Sequence, residues 1–525
     1  MPRLKAVAAI SVSVLVAGCA SSRADPIAVS REAVPADAID RAPPVTDAGD
    51  PGGSVTSGDP DDDVVADDES GNESEEERDR ESSDPSLSIG DRLFPDLGSA
   101  DVDVRTYDVV MIIPPDPQDA TSPIDASVTI DAGVRPGVGT LAFDAVGLDI
   151  ESVEVDGNSA DFEVEEPKLL IDLPADRGDT VSATIHYSFA PSPVRSAAGV
   201  EVGWDPGEAG SSYVLNEPDG ARTWMPANDH PSDKARWTFD LTVAPDRIAV
   251  ANGALERRGD DGGRWVWHQD EPMSTYLVQV IVGDYELIDG GTVPSVDGDL
   301  IPLTHVVPAG ERTTFDPAID GIDEHIRFFE DLFGPYPLDR YGLAFVEELT
   351  NAAMETQGRS LFGAADFRGG LGFFPQLLLA HEIAHQWFGN AVSPAAWTDI
   401  WLNESFATYA QWLWLDHIDL QDLDRYAETM LGQRQNGNGS TGLPDAADLF
   451  GFNSYDGGAV VAHALRAEIG DDEFFELLSR WVGENLGTSR STDDFIALAE
   501  EVSGRDLATF FDAWLFADAL PAEYP

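Results

Sequence analysis

The sequence predicts a multidomain protein of the α and β class, in which an N-terminal all-β domain is followed by a mainly α-helical domain. Between about residues 103 and 290 the chain consists of short runs of alternating apolar and polar residues separated by turn-forming residues, a pattern typical of strands. After Asp316 apolar residues recur every three to four positions over longer segments, which indicates amphipathic helices. We therefore expect the two domains to span residues 101–292 and 293–525.

The composition indicates a folded protein with a strong excess of negative charge. The chain has 525 residues, and 42% of them are hydrophobic, which is enough for a large core. It carries 97 acidic and 31 basic residues, for a net charge of −66. Such a surface repels polyanions, so we expect no nucleic acid partner. The acidity fits either adaptation to high salt or a device for solubility.

The first 18 residues have the features of an export signal. Arg3 and Lys5 precede an apolar run of 12 residues, 6–17, which is too short to span a bilayer. The run leads into the tetrapeptide VAGC, which resembles a bacterial lipobox, and its cysteine, Cys19, is the only one in the chain. We expect a lipoprotein signal peptide over residues 1–18, a lipid on Cys19, and a membrane-anchored protein of the cell envelope that faces outward. An ordinary cleaved signal is the alternative.

Residues 19–100 differ in composition from the rest of the chain. They are rich in Ala, Asp, Pro, Ser and Gly, and acidic residues are concentrated between Asp59 and Asp84. A segment of this kind cannot bury enough apolar surface to offset its conformational entropy. We expect a disordered acidic tether that holds the folded domains away from the membrane.

The helix predicted over residues 375–388 contains a metal-binding motif. In its HEIAH sequence, His381 and His385 are one helical turn apart, so both imidazoles project from the same face. A catalytic zinc site usually takes three protein ligands and leaves a fourth position open. Glu404 follows His385 after a gap of 18 residues and begins another amphipathic helix. We expect His381, His385 and Glu404 to bind one Zn²⁺ per chain.

Several segments resemble the membrane alanyl aminopeptidases and their leukotriene-hydrolase relatives, which are gluzincin zinc metallopeptidases. The matching segments are HEIAHQWFGN (381–390) and WLNESFATY (401–409) for the zinc signature, NAAMETQ (351–357) for the exopeptidase motif, SYDGGA (454–459) for the catalytic tyrosine, and NEPDGAR (216–222) for a second amine-binding acid. The resemblance covers about residues 100–525. It implies a saddle-like β domain and a thermolysin-like catalytic domain.

The resemblance also implies a metallo-aminopeptidase that hydrolyses the N-terminal peptide bond of peptides with a free N-terminus. Zinc would activate a water molecule, Glu382 would be the general base, and Tyr455 would donate a hydrogen bond to the oxyanion. Glu355 and Glu217 would bind the α-ammonium group of the substrate. Two alternatives stay open: an endopeptidase with the same core but no amine anchor, and a lipoprotein that binds peptides without turnover.

The sequence departs from the family pattern at several positions. Ala352 and Thr356 stand where the family usually has Gly and Asn, and Gly457 replaces a common lysine after Tyr455. The chain ends at Pro525, soon after the predicted last helix. We therefore expect the C-terminal helical domain that covers the active site in many relatives to be absent.

Overall fold

The computed structural model of the protein describes residues 86–116, 122–175, 177–207, 210–259, 263–436 and 439–525. The predicted signal peptide, Cys19 and most of the predicted tether lie outside these residues.

The strands, in chain order, are β1 (Val102–Ile112), β2 (Ile124–Val134), β3 (Thr140–Asp144), β4 (Asp149–Val155), β5 (Asn158–Ser159), β6 (Phe162–Glu165), β7 (Lys168–Asp172), β8 (Thr180–Phe189), β9 (Val194–Arg195), β10 (Glu201–Asp205), β11 (Ser212–Leu215), β12 (Lys234–Thr242), β13 (Ile248–Ala251), β14 (Ala254–Arg257), β15 (Arg264–Ser274), β16 (Val280–Gly283), β17 (Tyr285–Pro294), β18 (Leu300–Pro308), β19 (Leu343–Val346), β20 (Ala353–Met354), β21 (Ser360–Gly363), β22 (Val392–Pro394) and β23 (Thr488–Arg490). The α-helices are α1 (Arg312–Asp320), α2 (Ile322–Phe333), α3 (Ala364–Phe367), α4 (Phe373–Ala384), α5 (Trp401–His417), α6 (Leu423–Asn436), α7 (Asp456–Ile469), α8 (Asp471–Asn485), α9 (Thr492–Ser503) and α10 (Ala508–Trp514).

The N-terminal domain is built from three sheets. An eight-stranded sheet has the order β14-β15-β12-β1-β2-β8-β4-β5, a five-stranded sheet the order β13-β16-β11-β10-β9, and a three-stranded sheet the order β3-β7-β6. Along β1 buried and exposed residues alternate almost without interruption, so this strand faces the core on one side and solvent on the other. The all-β prediction for this domain is confirmed.

The second domain begins with a sheet of its own and continues with helices. The sheet has the order β17-β18-β19-β21-β20, and its first strand spans the boundary predicted at residues 292/293. Helix α5 packs against both α4 and α7. Helix α4 is apolar on almost every side, as expected of a helix buried in a core. The fold class predicted from the sequence is therefore confirmed.

The segment 91–97, which its composition assigns to the disordered tether, is packed against the folded domains. Leu93 and Phe94 are buried, and the Asp91 carboxylate accepts a hydrogen bond of 2.8 Å from the backbone N–H of Trp397. The folded part of the chain therefore begins before residue 101. The composition could not predict this, because a few apolar residues among turn formers show no periodicity.

The two domains form one compact unit with a continuous apolar core. At their junction the Lys234 ammonium, at the start of β12, donates a hydrogen bond of 2.7 Å to the backbone carbonyl of Asn390, just beyond helix α4. Within the described ranges, no helix has the length and apolar character needed to cross a bilayer. The junction places the β domain directly beside the predicted zinc helix.

Candidate active site

Three buried side chains from helices α4 and α5 converge at the junction of the domains. The Nε2 atoms of His381 and His385 are 3.0 Å apart. Glu404 Oε2, from the first turn of α5, lies 3.2 Å from His381 Nε2 and 3.5 Å from His385 Nε2. Each of the three residues is at most 2% exposed. The structure thus brings together the three residues that the spacing of the motif predicts as metal ligands.

The spacing of these three atoms fits a tetrahedral zinc ion. Zinc binds imidazole nitrogen and carboxylate oxygen at about 2.0–2.2 Å, so two ligands of a tetrahedron lie about 3.3–3.6 Å apart. The observed distances of 3.0–3.5 Å are close to this range. Two imidazole nitrogens that face each other need a proton or a cation between them. Two histidines and one glutamate are also a ligand set that catalytic zinc takes.

A backbone contact fixes the orientation of His385. Its Nδ1 atom lies 3.0 Å from the carbonyl oxygen of Phe388, so Nδ1 carries the proton and donates it to this hydrogen bond. The lone pair of Nε2 is then free to face the cluster, as metal-binding histidines require. The short chain reversal after α4 supplies this carbonyl, since Gly389 adopts a φ of +113°.

The pKa values of the ligands are shifted in the directions that favour a positive charge within the cluster. Burial by itself lowers the pKa of His385, but the carboxylates of Glu355 and Glu404 outweigh it and raise this pKa to about 10. Burial raises the pKa of Glu404, but the neighbouring His385 and His381 outweigh it and lower this pKa to about 2. Either a proton on His385 or a bound cation compensates the negative charge of these carboxylates. Binding of the cation therefore displaces the proton.

Glu382 follows His381 on helix α4 and faces the same cavity. Both of its carboxylate oxygens are buried, and neither has a hydrogen-bond partner within the described part of the chain. Burial raises the pKa of Glu382 well above its usual value, and the negative charges of Glu355 and Glu404 add to the effect. An unpartnered buried carboxylate is costly. A partner from the cavity, such as water or substrate, would remove this cost, which fits the predicted general base.

Tyr455 is held against the ligands by close packing of helix α7 on helix α5. Its ring stacks on the ring of His381, with centroids 5.8 Å apart and an angle of 21° between the planes. Ser405 Oγ donates a hydrogen bond of 2.8 Å to the carbonyl of Ser454. A Cβ atom on Gly458 would lie 1.7 Å from Ser405 Oγ, so only glycine fits there. Gly458 therefore has a packing role.

Two more glutamates reach the cluster from different domains. Glu217 follows β11 of the β domain, and Glu355 follows the edge strand β20 of the helical domain. Carboxylate oxygens of Glu217, Glu355 and Glu404 all lie within 4.8 Å of one another. In the region that the structure describes, Oε1 of Glu217 and Oε1 of Glu355 are buried without a hydrogen-bond partner. Burial, reinforced by nearby carboxylates, raises the pKa of Glu355 to about 7 and that of Glu217 well above its usual value.

Sequence reasoning missed the residues that hold Glu355 in place. The side-chain amides of Gln386 and Asn390 both donate to its backbone carbonyl, at 3.3 and 2.6 Å. Lys234, in turn, bonds the carbonyl of Asn390, and burial lowers the pKa of this lysine to about 7. A chain of polar contacts thus joins the β domain to Glu355. Gln386 and Asn390 belong to the motif HEIAHQWFGN, but only the fold reveals what they contact.

A cavity between the domains connects these groups. Its polar lining includes Glu382, His385, Glu404, Glu217, Glu355, Tyr455 and Glu201. Its apolar lining consists of Leu215, Leu349, Ala352, Ala353, Met354 and Phe450. The cavity therefore combines apolar walls with carboxylates around the predicted metal position. Six of the seven residues predicted for the metal, catalytic and substrate site line this cavity, and the seventh, His381, contacts two of them, His385 and Glu404.

A helix with the HExxH motif and a second helix that supplies a glutamate define the gluzincin class of metallopeptidases, and in this chain a β domain closes one side of the cavity. Comparison with known protein families identifies the family within this class. The family model for the peptidase M1 N-terminal domain matches residues 106–277, and the model for the peptidase family M1 domain matches residues 318–514. The chain belongs to peptidase family M1.

Relatives with known names or structures agree with this assignment. Leucyl aminopeptidase from Saccharolobus solfataricus is 28% identical over 73% of this chain and 50% of its own length. Aminopeptidase M1-D from Oryza sativa subsp. japonica is 29% identical over 57% of this chain and 36% of its own. An M1 zinc metallopeptidase from Deinococcus radiodurans has a similar structure, with a TM-score of 0.74 and 29% identity over 83% of this chain and 98% of that one. The chain spans about a third to a half of the curated relatives it matches.

Proposed function

We propose that this chain is a zinc-dependent aminopeptidase that hydrolyses the N-terminal peptide bond of peptides. The observation that carries the proposal is the pair of carboxylates beside the ligand cluster, half-buried Glu217 and buried Glu355, each with one buried oxygen that has no hydrogen-bond partner among the described residues. A free α-ammonium group would satisfy both, and it would then leave only one residue between the amine and the metal. The leucyl aminopeptidase named above supports the same activity.

The ligand cluster and Glu382 would form the hydrolytic centre. His381, His385 and Glu404 would hold zinc, which, when bound, polarises a scissile carbonyl and lowers the pKa of water. Glu382 would accept the proton of the attacking water and then donate it to the leaving amine. Its raised pKa makes Glu382 a stronger base than an exposed carboxylate, and its oxygens have no competing partner among the described residues.

Tyr455 and the two outer glutamates would position the substrate. The Tyr455 hydroxyl would donate a hydrogen bond to the carbonyl oxygen as negative charge develops on it. Glu217 and Glu355 would hold the ammonium group and so fix which peptide bond lies at the centre. Because these two carboxylates come from different domains, the amine would also bridge the junction.

The charges of the site favour a substrate with a positively charged end. Glu217, Glu355, Glu382 and Glu404 carry up to four negative charges in one enclosed space. A zinc ion supplies two positive charges, and an α-ammonium group supplies one more. A neutral, acetylated N-terminus would leave the outer carboxylates uncompensated.

Removing a carboxylate of the amine anchor should slow the cleavage of peptides with a free N-terminus. Glu355→Ala should lower kcat/KM for such peptides by about 10- to 100-fold, because a charge-assisted hydrogen bond contributes about 1.5–3 kcal/mol. Acetylated peptides should be poor substrates of the wild-type protein and should be little affected by the substitution. The measurement is kcat/KM for matched free and acetylated peptides.

The exposed Glu324 on helix α2 offers a control, and Glu324→Ala should behave as the wild type. Cleavage of free and acetylated peptides at similar rates, and at internal bonds, would contradict the aminopeptidase proposal. That result would favour the endopeptidase with the same hydrolytic centre.

We also propose that the protein is an envelope lipoprotein anchored through Cys19 and facing outward. The proposal rests on the lipobox-like VAGC sequence after a short apolar run. Cys19→Ser should release the protein from the membrane fraction or stop removal of the signal peptide. Fractionation and sequencing of the mature N-terminus test this, and a soluble wild-type protein that begins elsewhere would refute it.

Within family M1, we infer a closer relation to the membrane alanyl aminopeptidases and their leukotriene-hydrolase relatives. The inference rests on the five segments that resemble that group, above all HEIAHQWFGN and WLNESFATY. Parallel assays of aminoacyl and epoxide substrates would test it, with aminoacyl turnover as the expected result.

A further inference from the structure

Glu201 is a carboxylate on the cavity wall that the hydrolytic centre and the amine anchor do not use. It begins strand β10, which pairs antiparallel with β11, with Gly203 opposite Leu215. Paired residues point to the same side of a sheet, and side chains two positions apart on a strand share a face. Glu201 therefore points to the same side as Leu215, and both line the cavity.

The position of Glu201 relative to the amine anchor identifies what it faces. Glu217 lies two residues beyond Leu215, and it also lines the cavity. In the proposed binding mode the α-carbon of the first substrate residue lies between Glu217 and the metal ligands. The side chain of this first substrate residue then extends from its α-carbon toward the wall that contains Leu215 and Glu201.

The cavity that Glu201 lines has walls of mixed character. Leu215, Leu349, Met354 and Phe450 are apolar and would contact the carbon stem of a long side chain. Glu201 is half-buried, so its carboxylate keeps some contact with solvent. Apolar walls, together with a carboxylate that the hydrolytic centre and the amine anchor do not use, fit a side chain with an aliphatic stem and a positively charged head.

From this geometry we propose that Glu201 selects substrates whose first residue is arginine or lysine. The inference rests on the aminopeptidase function proposed above and names the substrate class of that same site. Together with the other carboxylates of the cavity, Glu201 also disfavours an acidic first residue, because like charges repel in an enclosed space.

The test compares substrates that differ in charge but hardly in shape. Arginine and citrulline form one matched pair, and lysine and norleucine form another, each as an aminoacyl amide of the same fluorophore. The wild-type protein should prefer the charged member by about 10-fold or more in kcat/KM, the range expected for a charge-assisted hydrogen bond. Glu201→Gln keeps the shape of the side chain and should bring both ratios close to one, with citrulline and norleucine substrates unaffected.

A matched control separates a local contact from the general field of an acidic protein. Glu163 is exposed on β6, outside the cavity lining, so Glu163→Gln removes the same charge there and should leave both ratios unchanged. Arg195 is the cross-strand partner of Glu201 in the β9–β10 pair. If Glu201 served only this pairing, Glu201→Gln would lower the melting temperature and leave the ratios as they are, which would overturn the proposal.

The remaining outcomes distinguish this inference from the proposed function. A wild-type protein that cleaves charged and neutral members at equal rates would overturn the role of Glu201 and leave the aminopeptidase activity standing. A wild-type protein that cleaves none of the four substrates would overturn both. The wild-type ratios need no variant, so the proposal stays testable even if Glu201→Gln fails to fold.

Discussion

Replacing Glu382 by glutamine should reduce kcat by about 1000-fold or more and leave the zinc content unchanged. General acid and base catalysis contributes about 100- to 10,000-fold, and Glu382 would take part in both proton transfers. Glutamine has nearly the same shape as glutamate, and the Glu382 carboxylate makes no hydrogen bond to a ligand residue, so the metal site should persist. The measurements are kcat with an aminoacyl substrate and zinc per chain by elemental analysis.

Tyr455→Phe is the natural comparison for that variant. It removes one hydrogen-bond donor to the oxyanion, a loss that typically costs about 100- to 1000-fold in kcat, while the ring can keep its stacking on His381. Both variants should bind substrate with nearly unchanged affinity. A Glu382→Gln protein with close to wild-type turnover would exclude Glu382 as the base.

Replacing Glu404 by alanine should abolish metal binding and, with it, activity. Loss of a residue that only supports a ligand typically costs about 10- to 100-fold in metal affinity, so loss of a ligand itself should cost more than about 100-fold. The substitution also removes the carboxylate that lies 3.2 Å from His381 Nε2. Competition with a chromophoric chelator measures the affinity directly.

The Glu382→Gln protein is the matched control for this experiment, because it changes a neighbouring carboxylate without removing a ligand. It should compete for zinc as the wild type does. Wild-type affinity in the Glu404→Ala protein would mean that Glu404 is not the third ligand. In that case Glu355 or Glu217, whose carboxylates lie within 4.8 Å of it, would be the next candidate.

The sequence was sufficient for the order of domains and for the ligand cluster, because both depend on local regularities. His381 and His385 lie on one helical turn, and their relative placement follows from helix geometry alone. Glu404 was predictable because a short gap and a second helix restrict where it can lie. Glu217 and Glu355 lie 138 positions apart, and only the resemblance to a family indicated that they meet.

Other features could not be predicted because they depend on tertiary packing. Strands β19, β20 and β21 are two to four residues long and almost wholly buried, so they lack the alternation that marks a half-exposed strand. The role of Lys234 depends on a contact with Asn390, 156 positions away. Glu201 is one acid among 97, and only its strand register places it at the cavity.

The contact between helices α5 and α7 couples two positions in evolution. Because a methyl group at Gly458 would overlap Ser405, alanine at 458 becomes acceptable only if residue 405 first loses its own side-chain bulk. Ser405→Gly would make that room but would also remove the hydroxyl that holds the carbonyl of Ser454. A change of both residues, 405 and 458, therefore passes through a single variant that is less stable than the starting protein. Epistasis of this kind can preserve a site through residues that never touch the substrate.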